Sequence, residues 1–158
     1  AITENILIEA DTIARKVIHD LEMVGVLAVE MFVTKQGKVL VNEIAPRPHN
    51  SGHHTIEANV TSQYEQHLRC ILGLPLGDTT IILPSAMVNL LGEEGHSGPA
   101  RYQGFAEVLA MPGVHVHLYG KHFTKPFRKM GHVIIMDADE ESLKKKTNFV
   151  KNTLKVIT

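Results

Sequence analysis

The chain has 158 residues, 16 basic against 17 acidic side chains, a net charge of −1, ten histidines, no tryptophan and one cysteine, Cys70. That length suits one mid-sized domain or two small ones and buries roughly 68–70% of the unfolded surface, so no staples are needed. A lone cysteine excludes a disulfide framework. The near-zero charge argues against nucleic acid, and the lack of any apolar run near ~18 residues or of a signal peptide argues against a membrane, so a cytoplasmic protein is expected.

The first helical pattern begins almost at once. Ile2, Ile6, Ala10, Ile13, Ala14, Val17, Ile18 and Leu21 recur at spacings of three and four, with Thr3 as N-cap and Gly25 as stop. A chain without an initiator methionine that opens on an amphipathic helix reads as part of a longer protein. "VLAVEMFV" (26–33) and "KVLVNEI" (38–44), joined by "TKQG", read as a β-hairpin. A polar loop, 45–54, leads to a helix in "TSQYEQHLRCILG" (61–73), where Tyr64, Leu68, Ile71 and Leu72 mark one face and Gly73 the stop. "LPLGDTT" (74–80) carries the turn chemistry of a boundary, which divides the chain into 1–80 and 81–158.

The second part begins with a strand, "SAMVNLLG" (85–92), followed by a turn-rich stretch and a short helix over about 105–111. "GVHVHLYGK" (113–121) alternates Val114, Val116 and Leu118 with His115 and His117, the pattern of a half-exposed strand. "MGHVIIMD" (130–137) is another strand. A last helix starts at the N-cap Asp139, with Leu143, Phe149, Val150 and Leu154 on one side and lysines on the other. The mixture predicts an α+β fold in two small lobes.

Three clusters can carry chemistry. With Gln36-Gly37 as a two-residue hairpin loop, Glu30 falls directly opposite Glu43. Opposed residues have Cβ atoms about 4.5–5.5 Å apart, and like charges there oppose pairing. A divalent cation such as Mg²⁺ compensates them, because it prefers carboxylate and phosphate oxygens. Alternatively one glutamate points to solvent or pairs with a lysine, or a bulge shifts the register.

The second cluster is "NEIAPRPHNSGHH" (42–54). Arg47 between Pro46 and Pro48 sits on a stiffened backbone, suited to holding a planar oxyanion at two points. His49 can move a proton near neutral pH, while Asn50, Ser51 and Gly52 offer donors and close backbone approach. A zinc site from His49, His53 and His54 lacks the usual spacing, and a plain turn before the next helix stands equally open beside the functional reading. The third cluster, "YGKHFTKPFRKMGH" (119–132), concentrates Lys121, Lys125, Arg128 and Lys129 between two strands, which suits a phosphate or carboxylate ligand or a solvated basic turn. His115 and His117 share a strand face, which reads as a polar sheet surface before a metal site.

Taken together, "GVLAVEMFVTKQGKVLVNEIAPRPHNSGHHTIEA", "SQYEQHLRCILGLPLG", "YGK" and "RKMGH" resemble the C-terminal half of the ATP-dependent N5-carboxyaminoimidazole ribonucleotide synthetases of purine biosynthesis. These are also called the ATPase subunit of phosphoribosylaminoimidazole carboxylase, are fused to a mutase domain in fungi, and belong to the ATP-grasp superfamily. The resemblance implies that residues 1–80 are the C-terminal portion of an ATP-grasp domain, with antiparallel strands and flanking helices, and that 81–158 form a small, mostly-β lobe. It further implies a ligase that uses ATP to convert bicarbonate to carboxyphosphate and then carboxylates aminoimidazole ribonucleotide. Glu30 and Glu43 match the acids that hold Mg²⁺ (or Mn²⁺) against the ATP phosphates, with Asn42 beside them. Arg47 and His49 match residues at the bicarbonate and carboxyphosphate, joined by Asn50, and Lys121 and Arg128 match cations that reach the ribonucleotide and its phosphate.

The family is expected to form homodimers. Its N-terminal domain, adenine pocket and phosphate-binding loop have no counterpart here, and there is no GxxxxGK[ST], so the chain alone is expected to be inactive. Two other readings stay open. One is a non-catalytic module that binds a phosphorylated metabolite. The other is a related ATP-grasp enzyme such as the formate-dependent glycinamide ribonucleotide transformylase, although "PRPHNSGH" favours the aminoimidazole enzyme.

Overall fold

A computed structural model describes residues 2–158. The chain forms two compact units, one of Ala1–Gly52 with Thr61–Asp78, the other of His53–Val60 with Thr79–Thr158. The fold is the expected mixture of helices and antiparallel strands.

In the first unit, α1 (Glu4–Asp20) half-buries Ile6, Ala10, Ile13, Ala14, Val17 and Ile18 of the predicted stripe, while Ile2 and Leu21 at its ends are exposed, and it packs on the hairpin of β1 (Ala28–Val33) and β2 (Val39–Ala45). Thr3 is the N-cap residue, without a side-chain bond. The helix ends before Gly25. Glu22 takes the left-handed position (φ 47°), its N–H bonds His19 O at 3.0 Å, and Met23 N–H bonds Ile18 O at 3.2 Å. These two bonds close the last carbonyls as a Schellman motif does, with a glutamate where glycine is usual.

The hairpin loop is also longer than predicted. Val33 pairs with Val39, and Thr34 N–H bonds Lys38 O at 2.9 Å, so Lys35, Gln36 and Gly37 form the loop, with Gly37 left-handed at φ 82°. This slips the register by one residue. A β-bulge slips it back: Met31 pairs with Val41 but Glu30 with Glu43, leaving Asn42 as the extra residue.

α3, described next because it completes the first unit, spans Gln63–Ile71 after the short α2 (Thr55–Ala58) of the second unit. Ser62 caps it by accepting from Glu65 N–H at 3.2 Å, and Gly73 follows its end as predicted. Its orientation overturns the hydrophobic pattern. Tyr64, Leu68, Ile71 and Leu72 are exposed, whereas Gln63, Gln66, His67 and Cys70 turn inward. What faces α3 within this unit is loop backbone, whose N–H and C=O groups need partners. Gln66 accepts from Gly77 N–H (2.9 Å) and donates to Gly77 O (2.7 Å), and His67 Nδ1 accepts from Val26 N–H (3.1 Å).

In the second unit, β3 (Ser85–Leu91) precedes two short strands, β4 (Gly98–Pro99) and β5 (Arg101–Gln103), and α4 (Phe105–Leu109). β6 (Val114–Leu118), β7 (Phe123–Thr124), β8 (Lys129–Met136), α5 (Glu140–Thr153) and β9 (Lys155–Ile157) follow. The main sheet is antiparallel in the order β3-β8-β6, and β9 pairs with β5. One sheet face carries Leu90, Val133, Ile135 and Val114 into a core with Val108 of α4 and Val150 of α5. Val133, Ile134 and Ile135 are fully buried, because β8 is covered on both faces. Each such side chain contributes about 1.5–3 kcal/mol. Asp139 caps α5 as predicted, accepting from Ser142 N–H at 2.7 Å.

The opposite face carries a polar row in register across the three strands, Asn89, His132 and His117. His53 and Glu57, from the segment around α2, meet this row. No helix among the described residues is long and apolar enough to cross a membrane.

Candidate functional site

The β-bulge at Asn42 shapes the first cluster. Glu30 and Glu43 are direct cross-strand partners and so share a face. The extra residue re-aims Asn42 to the same side, where its Nδ2 reaches Glu30 Oε2 at 3.4 Å. The Glu30 side chain is 45% exposed, so its charge is open to a ligand. Two carboxylates and an amide oxygen make a hard donor set, and the set fits a cation with phosphate oxygens completing its shell. Among the described residues no three His, Cys, Asp or Glu side chains gather as a metal-holding group, so phosphate oxygens would have to supply the rest of the shell.

His49 joins this cluster. Its Nε2 lies 3.4 Å from Glu30 Oε1. Nδ1 accepts from Ser51 N–H at 3.4 Å and lies 2.9 Å from Ser51 Oγ, which leaves Nε2 as the protonated nitrogen facing the carboxylate. Arg47 is exposed on its proline-flanked turn. Its N–H closes on Ala45 O at 2.8 Å around Pro46, and its guanidinium donates to Pro48 O at 3.2 Å. Asn50 opens the 3₁₀ turn Asn50–Gly52.

Sequence reasoning missed the residue that holds this loop. Gln63, the first residue of α3, is 8% exposed. Its Oε1 accepts from His49 N–H at 2.8 Å and its Nε2 donates to His49 O at 2.9 Å. A single side-chain amide thus occupies both backbone groups of His49. Gly52 permits the approach, since a Cβ there would stand 2.5 Å from Gln63 Oε1. The signal was present as a glutamine directly after an N-cap serine, where a solvated polar residue is the usual reading.

Lys121 and Arg128 belong to the second unit, in the connection between β6 and β8. Lys121 Nζ sits 5.6 Å from the Tyr119 ring centroid and donates to Lys129 O at 2.5 Å. Arg128 Nη1 donates to Phe123 O at 3.0 Å. Phe127 N–H bonds Gly92 O and Gly92 N–H bonds Arg128 O, both at 2.9 Å, so the loop is pinned to the end of β3.

Beneath this loop lies a stack the histidine count alone did not reveal. His132 is sandwiched between His53 and His117, at centroid distances of 4.5 and 4.6 Å and interplanar angles of 23° and 14°. Tyr119 Oη lies 2.9 Å from His132 Nδ1, and His117 Nε2 lies 2.7 Å from Glu57 Oε1. Burial, then the charges of His53 and His117, push the His132 pKa down to about 4, so its ring is neutral at physiological pH. His115, two residues before His117, is exposed.

Residues 1–64 match the model of the ATP-grasp domain, and residues 85–146 match that of the phosphoribosylaminoimidazole carboxylase C-terminal domain. The chain is 47% identical over 133 residues to the N5-carboxyaminoimidazole ribonucleotide synthase of Bacillus subtilis, covering 84% of this chain and 33% of that protein. It is 47% identical over 134 residues to the chloroplastic phosphoribosylaminoimidazole carboxylase of Vigna aconitifolia, covering 83% of this chain and 24% of that protein. Its structure is similar to the crystal structure of the Thermotoga maritima N5-carboxyaminoimidazole ribonucleotide synthetase, with a TM-score of 0.93, 54% identity, 99% of this chain covered and 44% of that one. An Aspergillus clavatus N5-carboxyaminoimidazole synthase, in complex with ADP and 5-aminoimidazole ribonucleotide, matches with a TM-score of 0.83 and 33% identity over 96% of this chain and 40% of that one. The chain therefore spans less than half the length of these relatives.

Proposed function

The chain belongs to the N5-carboxyaminoimidazole ribonucleotide synthetase family, and we propose that in a longer protein it supplies half of the machinery of that ATP-dependent ligase. The proposed reaction has two steps. A bicarbonate oxygen attacks the γ-phosphorus of ATP and releases ADP, and the carboxyphosphate formed passes its carboxyl group to the exocyclic amine of aminoimidazole ribonucleotide. Phosphate leaves, and the amine gives up a proton.

The observation that carries this reading is the Glu30–Glu43 pair, set face to face by the Asn42 bulge with His49 against Glu30. Glu30 and Glu43, with Asn42 beside them, would hold Mg²⁺ or Mn²⁺ on the nucleotide. A cation bound there supplies the charge neutralisation on which phosphoryl transfer depends. Arg47 presents a planar guanidinium to bicarbonate and carboxyphosphate, His49 orients and donates through Nε2–H, and Asn50 adds a donor in the same turn. Lys121 and Arg128 bind the ribonucleotide and its phosphate as fixed cations. A homodimer in the cytoplasm is the assembly proposed for the longer protein.

The test is ADP release by the full-length protein, dependent on both bicarbonate and aminoimidazole ribonucleotide. ADP release that ignores the ribonucleotide, or that requires formate, overturns this reading.

A further inference from the structure

The histidine stack of the second unit takes no part in the reaction as proposed, yet it is costly to build. Three imidazoles lie in face-to-face contact, and only one or two can be charged without strong repulsion. The central ring is buried, and its Nε2 has no hydrogen-bond partner among the described residues. Glu57 Oε2 and Asn89 Oδ1 are likewise buried without partners. An apolar strand pair would fill this sheet face at less cost, so the polar cluster calls for another account.

Its contacts run in one direction. Glu57 Oε1 holds His117 through Nε2, which fixes the plane of that imidazole. His117 and His53 clamp His132 from its two faces. His132 Nδ1 bonds the Tyr119 hydroxyl at 2.9 Å and so fixes the tilt of the phenol ring. The ammonium of Lys121 stands over that ring, 5.6 Å from its centroid, and is tied on its other side to Lys129 O. Lysine loses much side-chain entropy when held in one place, and a lysine that must meet an anion gains from being held beforehand.

The geometry points to the Glu57–His117–His132–Tyr119 assembly as a positioning device for Lys121, with Tyr119 and His132 as the two residues that set where the ammonium stands. A ring face attracts a cation within about 6 Å, and its pull depends on the ring's angle. An unanchored phenol turns about its side-chain torsions and loses that aim. The buried imidazoles provide the anchor, because a ring stacked on both faces cannot rotate. Such a device rests on the role proposed for Lys121 in holding the ribonucleotide.

The experiment uses the full-length protein and four variants: Lys121→Met, Tyr119→Phe, His132→Gln, and the double variant Tyr119→Phe/His132→Gln. Tyr119→Phe keeps the ring and removes only the hydroxyl. We expect it to raise KM for aminoimidazole ribonucleotide about tenfold, the scale of one hydrogen bond, with kcat and melting temperature little changed. His132→Gln should raise the same KM by a similar factor. The double variant should do no more than either single one, since both break one chain of contacts. Lys121→Met should exceed them all.

An unchanged KM in Lys121→Met overturns the role proposed for Lys121 itself. A raised KM in Lys121→Met with normal values in Tyr119→Phe overturns the positioning inference and leaves the proposed reaction standing. Tyr119 and His132 variants that lower only the melting temperature, or whose effects on KM multiply, overturn the positioning inference as well. If His132→Gln does not fold, Tyr119→Phe decides alone.

Discussion

Replacing Gln63 by methionine tests the amide that holds His49. Methionine fills a similar volume but offers no donor and only a weak acceptor, so the substitution removes the 2.8 Å bond to His49 N–H and the 2.9 Å bond to His49 O. Each such bond contributes about 1 kcal/mol net, so the pair contributes about 2 kcal/mol, or roughly 30-fold in the equilibrium that opens the loop. The assay is amide hydrogen exchange of the chain, read residue by residue. Exchange at His49 should rise by about 30-fold while the paired amides of β1 and β2 keep their protection. Gln63→Glu should fall between, because a carboxylate still accepts from His49 N–H but faces the His49 carbonyl with no proton. If His49 exchange in Gln63→Met stays within about twofold of the parent, the clasp does not hold the loop, and the reasoning fails. An equal rise throughout the hairpin also refutes it, since that marks loss of the unit rather than of one turn.

Three further outcomes follow from the same geometry. Glu43→Gln in the full-length protein should cut ribonucleotide-dependent ADP release by about a hundredfold and weaken Mn²⁺ binding, and an intact rate would sink the metal role. His132 is held neutral by burial, with a pKa near 4 against an ordinary 6.5, so the unfolded chain binds more protons than the folded one between those values. Stability of the second unit should therefore be full above pH 6.5 and decline toward pH 4, by on the order of 3 kcal/mol at the limit; His132→Gln should flatten that slope in denaturation curves. Asp137, bonded to Lys146 Nζ at 2.8 Å, Ser142 Oγ at 2.6 Å and Asp139 N–H at 3.0 Å, is held well below the usual carboxylate range, chiefly by its bond to Lys146. Its contribution is present above the ordinary carboxylate pKa and is lost as pH falls toward its folded value, so Asp137→Asn should melt with less acid dependence than the parent between about pH 4 and pH 2.

Much of the fold is local and was legible before any coordinates. The stripe from Ile6 to Ile18 dictates an amphipathic helix, Ser62 and Asp139 dictate helix starts, and the alternation of Val114, Val116 and Leu118 dictates a strand. These signals act between residues three or four apart on a helix or two apart on a strand, so the chain states them by itself. The short strands β5 and β9 escaped notice because three residues carry no measurable period, and only their mutual pairing makes them strands. The Glu30–Glu43 pairing was legible too, but through two offsetting errors in the assumed turn. The three-residue loop ending in Gly37 and the bulge at Asn42 cancel, and the cross-strand partner is the same.

What only tertiary structure decided is which groups need partners. The hydrophobic pattern of α3 points Tyr64, Leu68 and Ile71 inward, yet the helix turns Gln63, Gln66 and His67 to the loops instead, because bare N–H and C=O groups at His49, Gly77 and Val26 cost more when unmet than exposed apolar carbons do. The histidines follow the same logic. Composition counted ten of them, and strand alternation put His117 on a polar face. That His53 and His117 close upon His132, from positions 79 and 15 residues away, depends on which strands pair and which segment covers them, and no local pattern encodes that.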